Sequence, residues 1–434
     1  MNLALFAALL CAGRAVTLDE ALRSARENQP QLRQARATTE AASARAREAF
    51  APMLPQIQAS AGYQRTTANA ITRPGSPPLT GRLCPTAADP TAVCSTWTTY
   101  NSWSDSISAT QLLWDFGGTP YRWKSAEAQA DAQAASERAT DLQVDFTVRQ
   151  AFFSARADRA LMQVAQDTLT NQQRHLKQTE GFVSAGTHPE IDLVQARTDT
   201  ANAQVALINA ENTYETAKVA LNAAMGVMGA TDYDVSDEAL APVPGEDSEV
   251  GPLLDEANKS RPEVENIEKL VRADELTVRS FEGAYWPALS ATAGFTQGGT
   301  SPSNLGWNGS VGLSLSWGIY QGGITRAQVR EAEANVAAEV AALDLIRLQL
   351  RSDVDAARLA VRAAKASISA TQEALTNAKE RLRLAEQRYA VGVGSAIELG
   401  DAQVALTQAA AQAVQADDNL ATARAQLLRA LGRR

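Results

Sequence analysis

The chain has 434 residues, 40 of them basic and 49 acidic, giving a formal net charge of −9. That length allows two or three ordinary domains, yet hydrophobic residues reach 45%, much of it alanine, while aromatics stop at 6%. Such a make-up belongs to long, closely packed helices rather than to three globules, and the lack of a basic stripe excludes nucleic acid as a partner.

The chain starts with LALFAALLCAGRA. An apolar run, Leu3–Leu10, precedes small residues, so residues 1–15 read as a signal peptide cleaved near Ala15 and too short to span a bilayer. No Lys or Arg precedes the run, a departure that a misassigned start codon would explain. Leu10 before Cys11 fits a lipoprotein anchor poorly. No later apolar run reaches about 18 residues, so no transmembrane helix is expected, and any membrane span must be made of strands.

The rest says the same thing twice. A first repeat over 16–228 and a second over 263–434 flank a linker, 229–262, rich in Pro, Asp and Glu. Within the first, period-two alternation predicts strands at about 56–65 and 102–114. Ile57, Ala59, Ala61 and Tyr63 oppose Gln56, Gln58, Ser60 and Gln64. Trp103, Ile107, Ala109 and Leu113 oppose a row of serines from Ser102 to Ser108, then Thr110. Between these strands lies CPTAADPTAVC, where a disulfide between Cys84 and Cys94 is expected in an exported chain.

Long helices follow at about 119–185 and 189–226. Val148, Ala155, Met162, Leu169, Leu176 and Val183 repeat every seven residues. That period implies a left-handed supercoil with knobs-into-holes packing. The return helix carries Leu193, Leu207, Tyr214 and Leu221.

The second repeat has strands at about 288–297 and 308–318. Leu289, Ala291, Ala293 and Phe295 oppose Ser290, Thr292 and Thr296; Val311, Leu313, Leu315 and Trp317 oppose Ser310, Ser314 and Ser316. Helices at about 325–391 and 396–431 complete it. Val354, Val361, Ile368, Leu375, Leu382 and Tyr389 form the seam, with small residues Ala357, Ala364, Thr371, Ala378 and Ala385 three positions on. A shift of 206 residues superposes the helices: LTN at Leu169–Asn171 recurs at Leu375–Asn377, and AEA at Ala126–Ala128 recurs at Ala332–Ala334.

All four strands have one aliphatic and aromatic face and one face of Ser, Thr, Gln and Gly, as lipid outside and water inside require. Each is about ten residues, enough to cross an outer membrane when tilted. Aromatics gather near the ends, as in interfacial belts: Trp97, Tyr100, Trp103, Trp114, Phe116, Tyr285, Trp286, Trp317 and Tyr320. Four strands cannot close a barrel alone, because open edges in lipid leave backbone groups unsatisfied; two copies would give eight strands and three would give twelve.

The order of elements and the motifs LDEAL (Leu18–Leu22), WDFGG, WGIYQGG, RYAVGVGSAIELGDAQ (Arg388–Gln403) and FVSAGTHPEIDLVQAR (Phe182–Arg197) resemble the TolC outer-membrane factor family across about residues 17–431. The resemblance implies a mainly α, internally duplicated fold. Three copies would form a homotrimer whose twelve-stranded β-barrel continues into an α-helical barrel. It implies a passive duct in the outer membrane, in contact with its lipid and reaching into the periplasm. The duct would serve a tripartite efflux pump or a type I secretion system, joined through a periplasmic adaptor protein to an inner-membrane transporter. Matching the tips position by position puts acidic gate rings at Glu398 and Asp401, a hydrogen-bonded lock at Asp192 and Tyr389, and adaptor docking at the tips around Gly186 and Gly392. Gly394 stands where the family carries an Arg, which leaves Arg388 or His188 to supply the ion pair of the lock. No catalytic constellation, metal-ligand spacing or phosphate loop occurs, so no enzyme activity and no cofactor are expected. The competing readings are a pore-free coiled-coil protein of the envelope, which leaves the strands unexplained, and a hydrolase, which lacks a site.

Overall fold

The computed structural model describes residues 15–67 and 99–434. Residues 1–14, which hold Cys11 and most of the expected signal peptide, lie outside the described residues, as do Trp97, Cys84 and Cys94. In chain order the elements are β1 (Ala15–Val16), α1 (Leu18–Asn28), α2 (Pro30–Phe50), β2 (Gln56–Thr67), β3 (Thr99–Trp114), α3 (Gly118–Ser184) and α4 (Glu190–Met225). Then come β4 (Asp234–Val235), α5 (Val250–Ser260), α6 (Pro262–Gly283), β5 (Ala288–Ser301), β6 (Asn304–Ser316), α7 (Ile324–Ala390) and α8 (Ala396–Ala430). Two compact units result: one takes residues up to 41 with 131–270 and 339–434, the other 42–130 with 271–338.

The first unit is helical. Its chain enters through Thr17, whose hydroxyl accepts from the Glu20 N–H while Glu20 reaches back to the Thr17 N–H, closing a capping box on α1. α3 and α7 each run 67 residues, roughly 100 Å at about 1.5 Å per residue. Helices in proteins owe most of their stability to tertiary packing, and here packing follows the seven-residue seam. Val148, Phe152 and Ala155 of α3 are buried with Leu22, Tyr214, Leu221 and Met225. In the second repeat Val354, Ala357 and Val361 of α7 are buried with Leu427 and Leu431, and with Leu253 and Val264 from α5 and α6. Alanine at the second seam position lets the axes approach closely.

The segment between the repeats is tied into this core. β4 pairs in parallel with β1, Val235 opposite Val16, and the Tyr214 hydroxyl donates to Asp234. Glu246, 4% exposed, accepts from the Val243 N–H at 2.9 Å, from Arg424 at 3.0 and 2.9 Å and from Lys365 at 2.7 Å. Burial opposes ionisation, but Arg424, Lys365 and the Val243 N–H more than offset it and hold the Glu246 carboxyl down at about 2.

The second unit carries one antiparallel sheet in the order β2-β3-β5-β6. Its register sets like against like across four strands. One row reads Ile57, Ala109, Ala293, Val311, and the adjacent row on the other face reads Gln58, Ser108, Gly294, Ser310. Serine hydroxyls ladder across the polar face, Ser60 to Ser106 at 2.8 Å.

A bulge between Leu112 and Trp114 shifts the alternation of β3. Leu112 falls opposite Ser290, and Trp114, not Leu113, continues the apolar row by facing Leu289. Simple alternation had put Leu113 there; the extra residue reverses the phase. The register also sets Asp105 and Gln297 in the apolar row of Ala61 and Trp307. Gln111 shares that face, its amide donating to the Met53 and Leu112 carbonyls, each at 2.8 Å.

Candidate functional site

Two features are candidates for function: the paired helix tips of the first unit and the exposed sheet face of the second. Each tip is a helix reversal closed by a glycine in the left-handed region, Gly186 at φ 75° and Gly392 at φ 77°. The two stops are the same Schellman motif. Gly186 N–H donates to Val183 and Thr187 N–H to Phe182; Gly392 N–H donates to Tyr389 and Val393 N–H to Arg388. Around Gly392 the apolar side chains Val391, Val393 and Ile397 are 74%, 72% and 76% exposed.

Ser395 caps α8, its hydroxyl accepting from the Glu398 N–H at 3.1 Å. The Glu398 carboxylate lies 3.5 Å from the Arg388 guanidinium, while Asp401, one turn on, is exposed. Arg388 therefore already offsets part of one of the two expected ring charges.

Tyr389 is only 2% exposed and packs with Leu382, Ala385, Leu399 and Ala402. Its hydroxyl has no hydrogen-bond partner within the chain, so the expected pairing with Asp192 is not made inside one copy. Burial raises the Tyr389 phenol above its ordinary value, Thr179 partly opposing and Asp192 adding to the rise. The Thr179 hydroxyl is likewise buried without a hydrogen bond of normal geometry.

Around Tyr389 stand rings from the other tip: His175 at 5.4 Å, His188 at 5.1 Å and Phe182 at 6.1 Å between centroids. Sequence reasoning missed His175 and Thr179. Thr179 sits three residues after seam residue Leu176 and His175 one before it, yet the seam pattern marks neither as special. The rarity of histidine was the one available signal.

Above the tips the interior turns polar. Gln172 donates to Gln403 at 3.0 Å and Thr168 meets Thr407 at 3.1 Å, beside a cavity of about 300 Å³. Among the described residues no group of His, Cys, Asp and Glu could hold a metal ion.

In the second unit the apolar sheet face is open. Ile57 is 72% exposed, Val311 90%, Leu313 74% and Trp307 72%. A contiguous apolar face of this kind marks a surface that meets lipid or another chain. Aromatics border it: Tyr63 lies 4.6 Å from Trp103 near one end, and Phe116 stacks on Trp286 at 5.4 Å near the other. No helix among the described residues is long and apolar enough to cross a membrane.

Comparison with known proteins bears on both features. The sequence model described as "outer membrane efflux protein" matches residues 21–227 and 253–433. The pyoverdine export outer membrane protein OpmQ of Pseudomonas putida is 24% identical over 419 residues, covering 96% of this chain and 85% of that protein. Among solved structures, a membrane protein from Pseudomonas aeruginosa superposes with a TM-score of 0.81 at 22% identity, covering 96% of this chain and 90% of that one. The outer membrane protein VceC of Vibrio cholerae superposes with a TM-score of 0.80 at 18% identity, covering 96% of both chains.

Proposed function

The chain belongs to the outer membrane efflux protein family, and from that premise we propose that three copies join into one gated duct across the outer membrane and the periplasm. The chain is an outer-membrane efflux component. The observation that carries the reading of its assembly is the sheet. Its outer strands, β2 and β6, are edges, and one face is exposed and apolar. Backbone groups at such edges cannot be left unpaired in lipid. Three sheets joined β6 to β2 would make a closed barrel of twelve strands, wider than the eight of two copies, with the Ser/Thr face toward water.

The helices offer matching faces. Ile191, Val194, Val205, Ile208 and Val219 are exposed and fall on one heptad stripe of α4. Leu345, Leu348 and Leu359 do the same on α7. These stripes have the spacing of supercoil seams and would be covered by neighbouring copies.

Glu398 and Asp401 would ring the periplasmic entrance, drawing cations toward it. The Gly186 and Gly392 tips would dock a periplasmic adaptor protein and, through it, an inner-membrane transporter. The lock expected of Asp192 and Tyr389 would then involve a second copy. Residues 16–228 and 263–434 are the two repeats of the wall, with 229–262 the belt between them. The relative OpmQ is named for pyoverdine export.

The test is the mass of the detergent-solubilised assembly together with conductance in planar bilayers. Three chains per particle and discrete conductance steps are expected. A monomer without conductance would sink the proposal and leave a coiled-coil envelope protein.

A further inference from the structure

The chain contains two histidines in 434 residues, and both lie against the same buried tyrosine. His175 comes from the body of α3 and His188 from the turn after it, whereas Tyr389 is in the last turn of α7. The three rings, with Phe182 stacked on His188 at 4.7 Å, bring the first tip against the second. We propose that the ring cluster of His175, His188 and Tyr389 is a latch, with His175 as its acid-sensitive member, that holds the two tips of each chain together near neutral pH and releases them in mild acid. The inference rests on the duct reading, since release of the second tip matters only if that tip borders an entrance.

The geometry favours an uncharged ring at His175. Tyr389 is 2% exposed and Thr179 is 0% exposed. The Nδ1 of His175, the Thr179 hydroxyl and the Tyr389 hydroxyl are all buried without a hydrogen bond of normal geometry. An imidazolium donates from both nitrogens, so at His175 it would carry a donor with no acceptor into an apolar contact.

The charged neighbours divide by element. On α3, Arg174, Lys177 and Glu180 are exposed. On α4, Asp192 and Asp199 face His175, and Arg197 lies 3.6 Å from Glu180. On α7 and α8, Arg388 pairs with Glu398. The two aspartates attract a proton, but burial outweighs them and holds His175 below its ordinary value. The packed tips therefore bind fewer protons than separated ones, and acid favours separation as the pH falls through the ordinary histidine range.

The experiment uses the full-length assembly in detergent or nanodiscs, with hydrogen exchange followed by mass spectrometry and corrected for intrinsic rates. Protection of peptides spanning 172–192 and 382–400 should fall about tenfold or more between about pH 7.5 and 5.5, while peptides around Val361 hold. In the double variant His175→Gln, His188→Phe, which keeps a ring on Phe182, that pH dependence should vanish. Wild-type protection unchanged with pH overturns the latch. So does a variant with the wild-type pH response, which would assign the effect to Asp192, Asp199 or the tip carboxylates. Conductance recorded in parallel separates the two readings. Acid loss of protection without conductance at any pH supports the latch and defeats the duct; conductance with pH-independent protection does the reverse.

Discussion

Replacing Val311 with Arg tests the membrane reading most directly. Val311 lies in β6 midway between Leu315 and Trp307, in a row with Ile57, Ala109 and Ala293. At about 3.4 Å per residue and a tilt near 40°, Leu315 and Trp307 each lie roughly 10 Å from Val311 along the barrel axis. The outward apolar band of such barrels is about 25 Å tall, so Val311 sits close to its midplane.

In water, an Arg at a position 90% exposed would change stability by no more than about 0.5 kcal/mol. At the midplane of lipid the same change costs about 2–4 kcal/mol per chain, hence roughly 6–12 kcal/mol for three. Ser310→Arg is the internal control, because its neighbour row Gln58, Ser108 and Gly294 faces the water side in this reading. Urea-dependent folding of the purified chain into lipid vesicles, read as a gel shift, measures both. Variants Val311→Arg and Ser310→Arg of equal stability would refute the assignment of faces.

Four further outcomes are expected. Glu246→Gln removes the acceptor charge that Arg424, 12% exposed, and Lys365 share, and should cost about 3 kcal/mol. The Glu246 carboxyl titrates at about 2 when folded against 4.5 ordinarily. Its contribution is therefore complete above 4.5 and lost as the pH falls toward 2, a dependence that thermal melts of the variant should lack. Phe152→Ala, at a side chain 0% exposed, should cost about 3–5 kcal/mol in the same melts. Gly392→Ala meets no atom within 4 Å but keeps φ at 77°, so about 1 kcal/mol of backbone strain should appear as faster exchange confined to the second tip. Asp401→Ala should reduce cation selectivity, read as reversal potential under a salt gradient, more than Glu398→Ala does. Arg388 at 3.5 Å already screens Glu398; equal effects would count against that pairing in the assembly.

The sequence determined what depends on local period. A seven-residue repeat fixes which face of α7 is buried, so Val354, Val361, Leu382 and Tyr389 could be named from spacing alone. A two-residue alternation separates the apolar and hydroxyl faces of the sheet. Gly186 and Gly392 mark the reversals because a left-handed residue ends each helix at no steric cost. Tertiary structure decided what depends on register between segments far apart in the chain. The bulge at Leu112/Trp114 reassigns the last residues of β3, and no alternation within β3 encodes it. Glu246 gathers Lys365 and Arg424 from two different helices, and His175 and His188 meet Tyr389 across the repeats. Those pairings follow from how whole helices align, a sum over many seam contacts, and no single residue's spacing announces where such an alignment will stop.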